Sequence, residues 1–175
     1  AVNPKKPSEF YVAVASGRVW KTTNGGVTFS PIFDNQGSFS IGCLRLDPAN
    51  PTVLWVGSGE NNSQRSVSWG DGVYLSRDAG KSFTNVGLKD SAHIGMIAID
   101  PRDPDRVFVA AMGPLWSAGG DRGLYRTSDG GKAWERRDDS QMMVWRPFYF
   151  ANLIVDPSNP DRLFKTDLNL IQSYD

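Results

Sequence analysis

The sequence predicts an all-β protein, with four-stranded antiparallel sheets repeated along the chain as an incomplete propeller arc of about three to four blades. Three observations predict it. An eight-residue phrase, Ser/Thr-x-Asp/Asn-x-Gly-x-x-Phe/Trp, occurs as TTNGGVTF from Thr22, SRDAGKSF from Ser76 and TSDGGKAW from Thr127, and its first three residues recur as SYD from Ser173. The central acid or amide stands at Asn24, Asp78, Asp129 and Asp175, at intervals of 54, 51 and 46 residues, which is the length of a propeller blade. A second phrase runs in phase with the first, and no stretch of helical period lasts ten residues without Gly or Pro.

The second phrase reads VNPKKPSEFYVA from Val2, LDPANPTVLWVG from Leu46, IDPRDPDRVFVA from Ile99 and VDPSNPDRLFKT from Val155. An apolar run ends at Asp-Pro or Asn-Pro, a second proline follows three residues later, and another apolar run begins. Proline lacks an amide hydrogen and fixes φ, so each phrase reads as strand, turn, strand. The runs around it are strands: Ser40 to Leu46 alternates, Val53 to Val56 is continuously apolar, and Gly72 to Leu75 leads into the second eight-residue phrase.

With the strands of a blade lettered A to D, the eight-residue phrase falls on the C to D turn. The first unit, Phe10 to Phe33, then supplies B, C and D without a clear A. Complete blades follow at Ser40 to Val86 and Ile94 to Arg137, and Ala151 to Asp175 supplies A, B and the start of C. One propeller domain is therefore expected over 1–175, divided as 1–38, 39–90, 91–140 and 150–175. Propellers close with about 4 to 8 blades, so the chain reads as an open arc whose remainder lies in a longer chain or a second one. The longer chain is favoured because the fourth phrase stops at Asp175.

In the eight-residue turn, Asp or Asn is expected to accept bonds from backbone amides one or two residues ahead, with the glycines supplying positive φ. The hydroxyl residue adds a local bond, and Phe29, Phe83 or Trp134 opens the next strand and packs between sheets. The turn residues are Thr22, Asn24, Gly26 and Phe29; Ser76, Asp78, Gly80 and Phe83; and Thr127, Asp129, Gly131 and Trp134.

The eight-residue phrase with its interleaved Asp-Pro phrase resembles the Asp-box, or BNR-repeat, β-propellers, nearest to bacterial sortilin/Vps10-like "BNR-repeat glycosyl hydrolase" proteins. That superfamily also includes sialidases, tandem-propeller xyloglucanases and photosystem II assembly-factor propellers. The resemblance implies an exported protein in the periplasm, at the cell surface or secreted, and implies that the Asp-box itself is structural.

Composition bounds the rest. Nineteen basic and nineteen acidic residues balance, so no global field draws the chain to nucleic acid. No run approaches the ~18 to 20 apolar residues of a spanning helix, and direct membrane insertion is not expected. Cys43 is single, in an alternating strand, and reads as a small core residue. His93 is the only histidine, at the entrance to the Ile94 to Ile99 strand; no metal site or cofactor is expected.

Function is expected in the connections longer than a turn requires: Gly57 to Asp71, Ala111 to Arg122 and Arg136 to Phe150, all on the face opposite the eight-residue turns. They carry Glu60, Asn61, Asn62, Gln64, Arg65 and Trp69, then Trp116, Asp121 and Arg122, then Trp145, Arg146 and Tyr149. Aromatic faces beside planar hydrogen-bonding groups suit a glycan, peptide or protein ligand. The expected function is a non-catalytic binding or scaffold propeller of an exported protein, with a place in an envelope or membrane-associated complex. The alternative is a glycoside hydrolase, xyloglucanase-like or sialidase-like, with two carboxylates as acid and base. The segment FKTDLNLIQSYD resembles the first catalytic strand of the xyloglucanases and would give Asp167 that role, although Leu168-Asn169 replaces the family's glycine pair. Glu60 and Asp121 are the other candidate carboxylates.

Overall fold

A computed structural model describes residues 1–61, 67–139, 152–159, 161–166 and 170–174. Sheet 1 contains β1 (Phe10–Val14), β2 (Arg18–Thr22) and β3 (Ser30–Pro31), with Val2 bridging to Phe10. Sheet 2 contains β4 (Ile41–Leu46), β5 (Leu54–Ser58), β6 (Val73–Ser76) and β7 (Thr84–Gly87). Sheet 3 contains β8 (Ile94–Ile99), β9 (Val107–Ala111), β10 (Gly123–Thr127) and β11 (Glu135–Asp138). In sheet 4, β12 (Asn152–Val155), β13 (Arg162–Thr166) and β14 (Leu170–Tyr174) pair in sequence order. Every pairing among the described strands is antiparallel between sequence neighbours, since each strand returns directly beside the one before it. Among the described residues the single helical turn is the 3-10 segment Lys89–Ser91.

The sheets stack face to face, and the core lies between them. Tyr11, Val19 and Phe33 of sheet 1 meet Ile41, Leu44, Leu54, Val56 and Tyr74 of sheet 2. The other face of sheet 2, with Trp55, Val73 and Leu75, meets Ile94, Ile97, Val107, Val109 and Tyr125 of sheet 3. Phe108 and Leu124 of sheet 3 then meet Leu153 and Leu163 of sheet 4. Since successive strand residues point to opposite faces, a strand in a sheet sandwiched on both sides is covered on both faces and is predominantly apolar along its length. That is why β5 and β6 are buried from end to end.

The Asp of each Asp-Pro phrase does more than precede a proline. Asp47 Oδ1 accepts from the amides of Ala49 (2.8 Å) and Asn50 (3.2 Å). Asp100 Oδ1 accepts from Arg102 N (2.9 Å), and Asp156 Oδ1 from Ser158 N (2.8 Å). Asn3 does the same for Lys5 N (3.0 Å). The A to B turn so formed is tied to the C to D turn of its own sheet: Gly25, Ala79 and Gly130 donate their amides to the carbonyls of Ser8, Thr52 and Asp105 at 2.8 to 3.0 Å. Both turn types therefore occupy one face of the stack, the turn face, and the described B to C and D to A connections occupy the other.

The eight-residue turn is hydrogen-bonded differently from the sequence expectation. The carboxylate reaches three and four residues ahead, not one or two: Asp78 Oδ1 accepts from Lys81 N (3.0 Å) and Ser82 N (2.9 Å), and Asp129 Oδ1 from Lys132 N (2.9 Å) and Ala133 N (3.1 Å). The leading hydroxyl binds the centre of the turn, with Ser76 Oγ donating to Asp78 (2.8 Å) and accepting from Gly80 N (2.8 Å). Gly80 and Gly131 have φ of +84° and +90°, which a Cβ would strain. Phe83 packs edge-on to Phe33 of the preceding sheet, and Trp134 edge-on to Trp55, so these aromatics do bridge sheets.

Hydrogen bonds from Ser82 and Ser76 hold the Asp78 carboxyl below its ordinary value of 3.8, and Asp129 is lowered in the same way by Thr127 and Ala133. A carboxyl lowered by folding adds stability above its unfolded value, and that stability is lost as pH falls through the folded value. Asn24 makes the equivalent amide bond to Thr28 N (3.0 Å) without a charge. Asp78→Asn is therefore expected to flatten the fall of the unfolding midpoint with acid below about pH 4 while leaving the neutral structure intact. Thermal melts across the acid range check this, and an unaltered acid limb would refute it.

Candidate functional site

The loop face is built on a close crossing of backbone. Gly59 donates its amide to Ser40 O (2.8 Å), and Gly70 to Ala92 O (2.7 Å), so the long connection of sheet 2 is pinned to the entrances of β4 and β8. A Cβ on Gly42 would lie 2.2 Å from Ile94 O, and one on Gly59 2.0 Å from Ala92 O. No other residue fits at either place. The base of the same connection is closed by Ser58, whose Oγ donates to Gly72 O (2.7 Å) and accepts from Asp71 N (2.9 Å). Asp71 Oδ2 accepts from the Tyr74 hydroxyl (2.5 Å). Burial and that bond push the Tyr74 hydroxyl above its ordinary value.

On this base stand two indoles. Trp69 is 75% exposed and Trp116 77% exposed, each in the B to C connection of its own sheet. Trp69 is held through its backbone, its carbonyl accepting from Ser38 Oγ (3.2 Å), which leaves the ring presented to solvent. The connection carrying Trp116 is braced from within. Arg122 Nη2 donates to Ser117 O (3.1 Å) and to Pro114 O, while Asp121 Oδ2 accepts from Asp90 N (3.0 Å) of the neighbouring connection.

Of the residues expected to bind ligand, Trp69, Trp116, Asn61 and Glu60 come to one face. Asn61 is exposed with Nδ2 near Gly95 O (3.4 Å), and Glu60 is half-buried, its amide donating to Ser68 O (3.1 Å). Arg122 and Asp121 are on that face too, with their polar atoms engaged by the loop framework. Asn62, Gln64, Arg65, Trp145, Arg146, Tyr149 and Asp167 lie outside the described residues.

His93 is the residue whose placement sequence reasoning undervalued. It is fully buried directly ahead of β8, and among the described residues neither ring nitrogen has a partner at full hydrogen-bond distance and angle, the Glu60 carbonyl being the nearby acceptor. Burial lowers its imidazole below the ordinary value, opposed by the nearby Glu60 carbonyl and carboxylate. The only sequence signal was its singularity. Cys43 is half-buried against the core between sheets 2 and 3, and burial of its thiol pushes it up to about 12 despite Arg45, which disfavours the thiolate near neutral pH.

A groove also lies between sheets 2 and 3 on the turn face, lined by Arg77, Asp78, Ser82, Gly131 and Lys132. Asp78 and Ser82 there are occupied in holding the turn itself. The loop face, with its presented aromatics, is the better candidate.

In fold, the chain is similar to a solved GH74 enzyme of Niastella koreensis, with a TM-score of 0.67 and 22% identity over 94% of this chain and 24% of that one. It is equally similar to an ancestral GH74 enzyme, with a TM-score of 0.67 and 18% identity over 98% of this chain and 23% of the other. The chain is an arc of a β-propeller. Its four stacked antiparallel sheets are propeller blades, and the loop face is one rim of the arc. In sequence it is 30% identical over 178 aligned residues, 90% of the chain, to a probable oligoxyloglucan-reducing end-specific xyloglucanase of Neosartorya fischeri. It is also 30% identical over 143 residues to a xyloglucanase of a Paenibacillus species. The chain spans only 19% and 12% of the lengths of these two relatives. No protein-family model matches the chain.

Proposed function

We propose that this arc forms part of a glycoside hydrolase acting on xyloglucan, and that its loop face contributes to the polysaccharide-binding surface. The observation that carries the reading is the 30% identity to a xyloglucanase over 90% of the chain. It moves the weight from the sortilin-like binding platform of the sequence reading to the hydrolase alternative. The geometry of the rim supports it: indole faces offer broad apolar surfaces to the C–H faces of pyranose rings, with planar polar groups alongside for hydroxyls. Trp69 and Trp116 are the sugar platforms in this reading, with Asn61 as the polar neighbour. Asp167 is the proposed catalytic carboxylate, from its likeness to the family's first catalytic strand, and its acid/base partner belongs to another part of the enzyme. The Asp-box turns are structural, and an exported location follows from the xyloglucanase reading.

The test is binding. Affinity electrophoresis in xyloglucan gels should retard the protein, and Trp116→Ala or Trp69→Ala should each weaken retardation by about 1 to 3 kcal/mol, the scale of an aromatic contact buried by a ligand. Both variants should keep the parent's unfolding midpoint, since neither ring is packed. Mobility unaltered by xyloglucan, or equal retardation of parent and double variant, would return the rim to a purely structural role.

A further inference from the structure

The first eight-residue turn differs from the other two at its chemically reactive centre. It carries Asn24-Gly25 where the second turn has Asp78-Ala79 and the third Asp129-Gly130. Asn24-Gly25 is the only Asn-Gly pair in the sequence. Such a pair is reactive, because the backbone nitrogen of a residue without Cβ reaches the preceding side-chain amide unhindered. Asn3, Asn50 and Asn159 are barred from the same reaction, since each precedes proline, which has no amide hydrogen to lose. Asp129-Gly130 has the glycine but carries a carboxyl held ionised by Thr127 and Ala133, which a nitrogen nucleophile does not attack.

The fold does not demand the first glycine. Gly25 has φ of +71°, but Ala79 takes φ of +60° at the same place in the second turn, and a Cβ on Gly25 would meet no atom within 4 Å. Both residues of the pair are exposed. In the folded turn every group the reaction needs is nevertheless engaged. Asn24 Oδ1 accepts from Thr22 Oγ1 (3.0 Å) and Thr28 N (3.0 Å), Nδ2 donates to Thr28 Oγ1 (2.9 Å), and Gly25 N donates to Ser8 O (2.9 Å). The nucleophile is tied to the A to B turn and the electrophile to Thr28, so the two meet only when the turn opens.

We propose that Asn24-Gly25 is a self-modification site, deamidating when the first turn opens and leaving, as its aspartate product, a turn of the second and third kind. Gly25 N attacks Asn24 Cγ; the N–Cγ bond forms as the Cγ–Nδ2 bond breaks, and Nδ2 leaves as ammonia with the proton from Gly25 N. Water then opens the cyclic imide. Addition at Cγ gives aspartate, and addition at the Asn24 backbone carbonyl gives isoaspartate, whose main chain runs through Cγ and is a methylene longer. Aspartate is the product that fits. Ser82 Oγ donates to Asp78 Oδ2 at 2.6 Å, and Thr28 stands level with Ser82, so rotation of its hydroxyl replaces acceptance from Nδ2 by donation to a carboxylate oxygen. Charge-assisted bonds of this kind are stronger than those of the amide. The longer main chain of isoaspartate cannot reach Thr28 N and Ser8 O together, and the turn then stays open.

The experiment is peptide mapping by mass spectrometry of the protein held at mildly alkaline pH, in native buffer and in urea. Two variants copied from the chain's own turns accompany it: Gly25→Ala, as Ala79 stands in the second, and Thr28→Ala, as Ala133 stands in the third. In urea Asn24 should convert ahead of every other asparagine, and Gly25→Ala should slow it at least about tenfold, a comparison that needs no fold. In native buffer the parent should convert at least about tenfold more slowly than in urea, and Thr28→Ala should recover several-fold of that difference. Asn24→Asp, the product made directly, should melt above the parent at neutral pH and lose the advantage as pH falls below about 4. Equal parent rates in buffer and urea, a Thr28→Ala rate equal to the parent's, another asparagine converting first in urea, or a lower melting point for Asn24→Asp would each overturn the proposal.

Discussion

Replacing Trp55 with alanine should cost this protein about 3–5 kcal/mol, a large part of the roughly 5–15 kcal/mol by which a domain is stable. Trp55 is 1% exposed at the centre of the core between sheets 2 and 3 and meets the Trp134 ring edge-on at 6.3 Å. A Cβ on Gly131 would already stand 3.0 Å from the Trp55 ring, so the turn glycine and the indole are fitted to each other and the site has little freedom to collapse. Truncation removes the anchor from both sheets at once, and the Trp134 indole, whose Nε1 donates to Val86 O (2.7 Å), loses its packing partner. Urea unfolding checks it. The midpoint should fall with an unchanged slope, and a loss under about 1 kcal/mol would show that the sheets do not depend on this interface.

Gly59→Ala should be nearly as damaging and should also abolish ligand capture by the loop face. The residue has φ of +84°, and its new Cβ would lie 2.0 Å from Ala92 O and 2.8 Å from His93 Cα, both backbone atoms that cannot rotate away. A left-handed alanine costs about 1–2 kcal/mol, and overpacking about 1–3 kcal/mol more. The strand entrance and the connection bearing Glu60 and Trp69 must separate to make room. Gly95→Ala is the control: its Cβ would meet the flexible Met112 sulfur at 3.3 Å with no positive φ, and it should cost about 1 kcal/mol or less. Comparable unfolding midpoints and comparable xyloglucan retardation for the two variants would disprove the crossing as the support of the rim.

The comparison of these two glycines shows where sequence reading stops. Gly59 follows Ser58 just past the end of β5 and Gly95 follows Ile94 at the start of β8, and neither local sequence tells which of the two tolerates a side chain. Only the approach of Ala92 from the next sheet makes one of them irreplaceable. The same holds for the polar residues of the loops. Arg122 reads as a recognition residue because arginine in a Gly-rich connection usually faces solvent, yet its guanidinium braces Pro114 and Ser117. Trp69 and Trp116 read the same way and are indeed presented. What separates them is which backbone carbonyls the loop leaves within reach, and that is fixed by folding of the loop as a whole. His93 is a further case: burial comes from the neighbouring sheet, for which the sequence around Ala92 to Ile94 holds no sign.

The sequence by itself determined the local structure of this protein and its repetition. Asp-Pro ends a strand because proline cannot pair onward, the eight-residue turn closes because a hydroxyl, an acid and a glycine stand at fixed offsets, and continuous apolar runs announce sheets covered on both faces. These are contacts within a few residues, so a repeated phrase repeats the structure. The tertiary structure alone decided which faces meet and which loop side chains remain presented to solvent. Those outcomes depend on residues tens of positions apart being brought together by stacking, and no local spacing encodes them.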